Sequence, residues 1–257
     1  MQTNTYIPLN NNTLTQYRYL SSVQMTLRKL CIIFLFTGSF SLCIQAQSLH
    51  IQPKRDLYIG GSMLLYSAGN YFLTQQYNSP QQQWQVPLID QVNQPQFKPE
   101  RAKISDASFL TTAAGAGLMM FALPKNMQMN YALVLAQNVW ITGNLVQTTK
   151  VLVGRGRPYL LGSGPIASEG KDNYYSFFSG HSAITATMAT TALMGAFRYT
   201  NGNQQWGKAA ALTTGAMALT TAALRIAAGK HYPSDVVTGM IVGTAVALVN
   251  CYIHEKQ

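Results

Sequence analysis

Six stretches of this chain contain no Asp, Glu, Lys or Arg, and they are spread over most of its length. They are 57–73, 107–123, 131–149, 182–197, 209–224 and 236–253. A helix that crosses a bilayer needs about 20 predominantly apolar residues, with a range of roughly 17–25. Each stretch is therefore nearly long enough to cross, and Gly, Pro and Asn residues separate them. The pattern predicts an all-α fold, a bundle of six helices.

The composition favours a bundle that lies in a membrane. Only 10% of the residues are charged, whereas about 25% is ordinary for a soluble domain. Ala, Gly and Thr are frequent in the stretches, and small residues let helices approach closely in lipid. The stretches 107–123 and 236–253 are the most typical spans, whereas Asn, Gln or Thr dilute the others. The alternative is a soluble helical periplasmic protein with the same core.

The N-terminal region has the features of an export signal. Segment 25–47 begins with a basic pair, continues as an apolar stretch and ends in the sequence IQAQ. This order predicts an N-terminal extension and signal peptide over residues 1–46, with cleavage after Ala46 and a single domain over 47–257. Met25 is an alternative start, and an uncleaved signal anchor is the alternative to cleavage.

The formal charge of the chain is +10, from 18 Lys and Arg against 8 Asp and Glu. Such an excess indicates an anionic partner, which is nucleic acid, an acidic membrane surface or a phosphorylated substrate. No basic run interleaved with aromatic residues occurs, which disfavours nucleic acid. A membrane and a phosphorylated substrate are therefore the expected partners.

Three short segments at predicted helix ends carry most of the reactive side chains. They are KVLVGRGRP (150–158), FFSGHS (177–182) and RIAAGKHYPSD (225–235). If consecutive helices alternate in direction, these segments meet at one end of the bundle. We call this end the mouth, and its predicted members are Lys150, Arg157, Ser179, Gly180, His181, Arg225, His231 and Asp235.

Cations around two imidazoles suit the chemistry of phosphate esters. Arg donates two N–H groups to a phosphate and Lys adds a point charge. A helix that starts after Ser179 directs backbone N–H groups at an anion. His231, held by Asp235, has the properties of a nucleophile, and His181 those of a general acid and base. Each residue has an ordinary structural interpretation when taken alone, so the hypothesis depends on their joint order.

The order and spacing of these residues resemble a known family signature with three parts, K-x6-R-P, P-S-G-H and S-R-x5-H-x3-D. The matching residues are Lys150, Arg157 and Pro158, then Phe178, Ser179, Gly180 and His181, then Leu224, Arg225, His231 and Asp235. The signature is that of the phosphatidic acid phosphatase type 2 and vanadium haloperoxidase superfamily. Phe178 stands where the family has Pro, and Leu224 where it has Ser.

The resemblance implies a phosphatase without metal or cofactor. His231 would become phosphorylated, Asp235 would orient it, and His181 would handle the protons of the leaving group. The phosphate oxygens would be held by Lys150, Arg157, Ser179, Gly180 and Arg225. With Leu224 in place of Ser, one hydrogen bond to phosphate would be lost. All the groups that carry the reaction would remain.

The leading interpretation is a bacterial envelope enzyme that removes phosphate from a lipid, with its mouth facing the periplasm. The candidate substrates are lipid A, undecaprenyl diphosphate, phosphatidylglycerophosphate and phosphatidic acid. The alternatives are a soluble periplasmic acid phosphatase of broad specificity, a vanadate-dependent haloperoxidase and a non-enzymatic adaptor with a relic site.

The expected export signal and the expected spans conflict. Cleavage after Ala46 leaves residue 47 outside, and six spanning helices then place the mouth inside. One of three statements must be wrong: conventional cleavage, spanning by all six stretches, or integration in the membrane.

Overall fold

The computed structural model describes residues 48–76, 88–91, 96–161, 170–200 and 204–255. Within this part the chain forms six α-helices, and each contains most of one charge-free stretch. They are α1 (Pro53–Gln76), α2 (Pro99–Leu118), α3 (Lys125–Val153), α4 (Gly180–Arg198), α5 (Gln205–Ala227) and α6 (Pro233–His254). The predicted all-α bundle is confirmed. The predicted signal peptide lies outside the described residues.

Proline and glycine set several helix ends. Pro233 opens α6 as expected, and Pro99 opens α2, because a proline at the first helical position needs no N–H partner. In the sequence, Ser105 stands just before the stretch 107–123 and is expected to cap the helix there. That expectation is wrong. Since α2 already begins at Pro99, Ser105 lies inside the helix and is fully buried. Gly154 ends α3 in the left-handed conformation, and its N–H donates to the carbonyl of Lys150 over 3.0 Å.

Hydrogen bonds between helix ends show that consecutive helices alternate in direction. The Ser179 N–H donates to the Asp235 carbonyl over 3.0 Å, which joins the starts of α4 and α6. The Lys98 N–H donates to the Ala228 carbonyl over 3.1 Å, which joins the start of α2 to the end of α5. At the opposite end, Arg55 donates to the Ile253 carbonyl over 2.8 Å. The start of α1 therefore lies at the end of the bundle that is remote from the mouth.

Helix α4 is the centre of the bundle, because it packs against α2, α3, α5 and α6. Its buried residues are Ala, Thr, Ser, Gly and Met, and the short side chains allow close packing. The closest approach is to α6. A Cβ atom on Gly243 would lie 2.0 Å from the Ala183 carbonyl oxygen, and one on Gly239 would lie 2.7 Å from the Ser179 carbonyl oxygen. These two glycines let α6 lie against the start of α4.

The replacement Gly243→Ala should therefore destabilise the protein. A methyl group would overlap the backbone of α4, and overpacking of this kind costs about 1–3 kcal/mol of unfolding free energy. Thermal unfolding in detergent measures the effect. The control is Gly215→Ala, because a Cβ atom there has no neighbour within 4 Å and Ala favours a helix over Gly by about 1 kcal/mol. Equal melting temperatures for the two variants would contradict this packing.

Two helices in the described part of the chain, α5 and α6, are long and apolar enough to cross a membrane. This property rests on length and composition alone. The stretch 107–123, which looks like a typical span in the sequence, does not pass the same test. Its helix α2 starts with the charged sequence PERAKISD and gives way to a 3-10 turn at Met119–Ala122. Within the described residues, the clear candidate spans are therefore α5 and α6, and the stretch 107–123 is not one of them.

Candidate active site

The mouth is formed where α3 and α5 end and where α4 and α6 begin. Lys150 lies in the last turn of α3, and its Nζ atom would be 3.8 Å from a Cβ atom on Gly180 at the start of α4. Burial, together with the nearby cations Arg157 and Arg225, lowers the pKa of Lys150 to about 8. The cations of the mouth are therefore close enough to repel one another, which favours an anion between them.

His231 precedes α6 and is buried in the wall of the mouth, with 2% of its surface exposed. Its Nδ1 atom is 2.8 Å from the backbone carbonyl oxygen of Ser176. A carbonyl only accepts, so this contact assigns the proton to Nδ1 and leaves the lone pair on Nε2. Burial, followed by the charges of Arg157, Arg225 and Lys150, holds the pKa of His231 well below its usual value. The ring is neutral at pH 7 and has a free nitrogen lone pair.

The expected direct hydrogen bond between His231 and Asp235 is not observed. Nδ1 of His231 lies 3.7 Å from Oδ2 of Asp235, which is too long for such a bond. The same oxygen of Asp235 instead accepts from the Ser176 hydroxyl over 2.5 Å and from the Tyr232 N–H over 2.9 Å. Ser176 therefore links Asp235 to His231, because its hydroxyl binds the carboxylate and its carbonyl binds the ring.

Asp235 has a second buried partner, Arg155. Nη1 of Arg155 lies 2.5 Å from Oδ1 of Asp235, and Nη2 lies 2.7 Å from Oδ2 of Asp90. The guanidinium also stacks on the ring of Tyr232, with its carbon 4.1 Å from the ring centre. The sequence marks Arg155 only as a basic residue close to Arg157, and it carries no signal for Asp90.

His181, at the start of α4, lies on the more open side of the mouth with 35% of its side chain exposed. Its Nε2 atom is 3.0 Å from Oδ1 of Asp106, and the same oxygen is 3.2 Å from Nη1 of Arg225. The ring of Phe109 packs against the imidazole with 4.9 Å between ring centres. Burial and the charge of Arg225 lower the pKa of His181 to about 4. The two histidines therefore differ in depth and in partners.

Arg157 and Ser179 complete the predicted set. Nε of Arg157 donates to the carbonyl of Asp172 over 2.8 Å, and Nη2 forms an ion pair with the Asp172 carboxylate. Ser179 is fully buried, and its hydroxyl accepts from the Ser182 N–H over 3.4 Å as the cap of α4. The cap leaves the first turn of α4 beside the mouth, where the helix dipole favours an anion.

All eight predicted residues thus lie at one end of the bundle, and their catalytic and binding roles stay predictions. The structure adds five partners that the sequence did not identify, namely Asp90, Asp106, Arg155, Asp172 and Ser176. Among the residues that the structure describes, no group of three or more His, Cys, Asp or Glu side chains could hold a metal ion.

A helical bundle with two histidines, carboxylates and four cations at one end has the parts of an enzyme that acts on phosphate esters. The family model of the PAP2 superfamily matches residues 127–257, half of the chain. This chain belongs to the PAP2 superfamily, and the match supports a phosphatase-type activity on a phosphorylated substrate. Comparison with curated proteins and with solved structures gives no significant match.

The matched region begins at Met127, within α3, and it contains all eight predicted residues of the mouth. It leaves out α1, α2 and the turn that carries Asp90. The carboxylates of Asp90 and Asp106 therefore come from parts of this chain that the family model does not cover.

Proposed function

We propose that this protein is a metal-independent lipid phosphatase that hydrolyses a lipid phosphate monoester or diphosphate through a phosphohistidine at His231. The observation that carries the proposal is the state of His231. Its ring is buried and neutral, its Nδ1 proton is bound to the Ser176 carbonyl, and cations surround it. A neutral imidazole with one fixed proton has the other nitrogen free for attack on phosphorus.

The reaction has two steps. In the first, Nε2 of His231 forms a bond to phosphorus while the bond to the lipid oxygen breaks, and a protonated His181 donates its proton to that oxygen. In the second, His181, now neutral, takes a proton from water, whose oxygen bonds to phosphorus while the phosphorus–nitrogen bond breaks. Inorganic phosphate leaves, and His181 is protonated again. Lys150, Arg157 and Arg225 hold the negative oxygens in both steps.

An apolar groove supports a substrate with a hydrocarbon chain. It has a volume of about 670 Å³ and lies between α1, α3 and α6. Its lining includes Ile59, Met63, Ile141, Leu145, Val246 and Val249. The outer face of α1 also exposes large apolar side chains, among them Leu57 and Leu65. Apolar surface of this extent is typical of contact with lipid rather than with water.

The mouth faces the periplasm of a bacterial envelope in this proposal, and the bundle is integrated in the membrane. Helix α6 has 22 residues and is therefore about 33 Å long at 1.5 Å per residue. Asp235 lies at one end of α6, and residues 48–56 lie beside its other end. If α5 and α6 cross the membrane, residues 48–56 and the mouth are on opposite sides. Cleavage after Ala46 on the exported side is then incompatible with an exported mouth.

Cysteine labelling in intact cells tests this orientation. Cys31, Cys43 and Cys251 are first replaced by Ser, and a single cysteine is placed at the exposed positions Glu100 or Lys125. A membrane-impermeant maleimide should label position 100, near the mouth, in intact spheroplasts. It should label position 125, at the remote end, only after lysis. Labelling of both positions without lysis would show that the bundle does not cross the membrane.

The substrate class is tested by phosphate release from the purified protein in mild detergent with EDTA present. The panel contains lipid A, undecaprenyl diphosphate, phosphatidylglycerophosphate, phosphatidic acid and a soluble aryl phosphate. The proposal expects chelator-resistant release with a strong preference for one lipid. Equal turnover of the soluble ester would instead favour an acid phosphatase of broad specificity. Loss of release with EDTA would contradict a metal-independent reaction.

A further inference from the structure

Asp90 is a buried carboxylate with no assigned role. It ends the 3-10 turn Leu88–Asp90, between α1 and α2, and has no exposed surface. Oδ2 accepts from Nη2 of Arg155 over 2.7 Å and from the Ser234 hydroxyl over 2.6 Å. Oδ1 accepts from the Ser234 N–H over 3.0 Å. Within the described part of the chain, every hydrogen bond of this carboxylate goes to a residue beside the His231 and Asp235 pair.

The contact with Ser234 fixes the start of α6. Ser234 is the second residue of the helix, so its N–H has no acceptor within the helix itself. A carboxylate at this point satisfies that donor and interacts favourably with the positive end of the helix dipole. Asp235 is the next residue of the same turn. Asp90 therefore limits the rotation of the turn that carries Asp235.

The contact with Arg155 fixes Asp235 from a second direction. The guanidinium binds Asp90 with Nη2 and Asp235 with Nη1, and Nη1 also lies 2.9 Å from the Ser234 hydroxyl. Both carboxylates are fully buried and Arg155 is 6% exposed. Two carboxylates share one cation here, so removing either leaves the guanidinium with a different set of partners.

We propose that Asp90 is a positioning residue for His231, through Arg155, Asp235 and Ser176. The chain of contacts runs from Asp90 to Arg155, to Asp235, to the Ser176 hydroxyl, and from the Ser176 carbonyl to Nδ1 of His231. The role rests on the proposed function of His231 as nucleophile. A displacement of about 1 Å in a reacting group costs about 100-fold in rate, so a shift at the start of α6 affects turnover without changing the cations that hold phosphate.

The test is Asp90→Asn. The amide has the shape of the carboxylate but only one acceptor, so an NH2 group must face either Arg155 or Ser234, both of which are donors. The matched control is Asp56→Asn. Asp56 is another hydrogen-bonded carboxylate, which lies 2.6 Å from Nε2 of His254 at the remote end of the bundle. Both variants lose one carboxylate, but only one of them touches the mouth.

We expect kcat on the preferred lipid phosphate to fall about 30- to 100-fold in Asp90→Asn. KM and the inhibition constant of inorganic phosphate should stay within about threefold, because the phosphate ligands are retained. Asp56→Asn should lower the melting temperature and leave kcat within about twofold. A kcat near that of the unchanged protein in Asp90→Asn would overturn the proposal. So would equal weakening of kcat and of phosphate inhibition, which would indicate general distortion of the mouth.

A measurement without turnover separates this inference from the proposed function. The chain has four histidines, so the ¹⁵N imidazole signals of His231 are assigned from the peaks that disappear in His231→Ala. In Asp90→Asn the Nδ1 and Nε2 signals of His231 should shift, and in Asp56→Asn they should not. Unchanged signals in Asp90→Asn refute the positioning role even if the protein hydrolyses no substrate. If the signals shift in Asp90→Asn but the unchanged protein releases no phosphate from any substrate, the positioning role is retained and the phosphatase is refuted.

Discussion

His231→Ala should abolish phosphate release, with a fall in kcat of about 10⁶-fold, as is found when a covalent nucleophile is removed. The reason is that Nε2 of His231 is the only protein atom proposed to bond to phosphorus. The cations that hold the phosphate remain, so the variant should still bind inorganic phosphate. Phosphate release in detergent and competitive binding of phosphate measure the two properties separately.

A covalent intermediate provides the positive test of the same prediction. Brief reaction with ³²P-labelled lipid phosphate should label the unchanged protein with a bond that is labile in acid and stable in base. His231→Ala should remain unlabelled. The control is His50→Ala, because His50 is exposed and lies at the remote end of the bundle. Labelling that persists in His231→Ala would assign the nucleophile to another residue.

Replacement of His181 by Ala should have the second largest effect, and its size should depend on the leaving group. A general acid contributes about 10²- to 10⁴-fold, so hydrolysis of a lipid phosphate should fall by that factor. Nitrophenolate leaves without a proton, so nitrophenyl phosphate should still phosphorylate His231 in a single rapid burst. Turnover should then stop, because His181 also activates the water of the second step. If His181→Ala lost the burst with nitrophenyl phosphate to the same extent as phosphorylation by the lipid phosphate, the role of His181 as acid would be contradicted.

The two histidines also predict the direction of the pH dependence. Burial and Arg225 lower the pKa of His181 to about 4, and a bound phosphate raises it because negative charge favours the protonated ring. The rate of phosphorylation by a lipid phosphate should therefore rise as the pH falls from about 8 to about 5. Burial, followed by the charges of Arg157, Arg225 and Lys150, holds the pKa of His231 well below its usual value, which favours the neutral, nucleophilic ring. A rate that does not change with pH would contradict the assignment, and His181→Ala should lose the slope.

The limits of prediction from sequence are clear at particular residues. Ser105 was expected to cap α2, but Pro99 starts that helix earlier and Ser105 lies buried inside it. A direct hydrogen bond from His231 to Asp235 is expected from the spacing, but Ser176 takes the hydrogen bonds of both side chains, which lie 3.7 Å apart. Spacing along a chain shows that two side chains share a turn, and it does not show which nearby backbone group competes for the hydrogen bond.

The sequence by itself determined the six helices and, on the assumption that consecutive helices alternate in direction, the residues that meet at the mouth. Absence of charge over 16 to 19 residues is a local property. The short connections between α4 and α5 and between α5 and α6 favour antiparallel packing of the helices that they join. Only the tertiary structure decided which carboxylates support the mouth. Asp90 and Arg155 are 65 residues apart, and Asp106 and Arg225 are 119 apart. The first contact depends on the path of the chain before α2, and the second depends on how α2 packs against α5. Neither of these can be read from a local pattern.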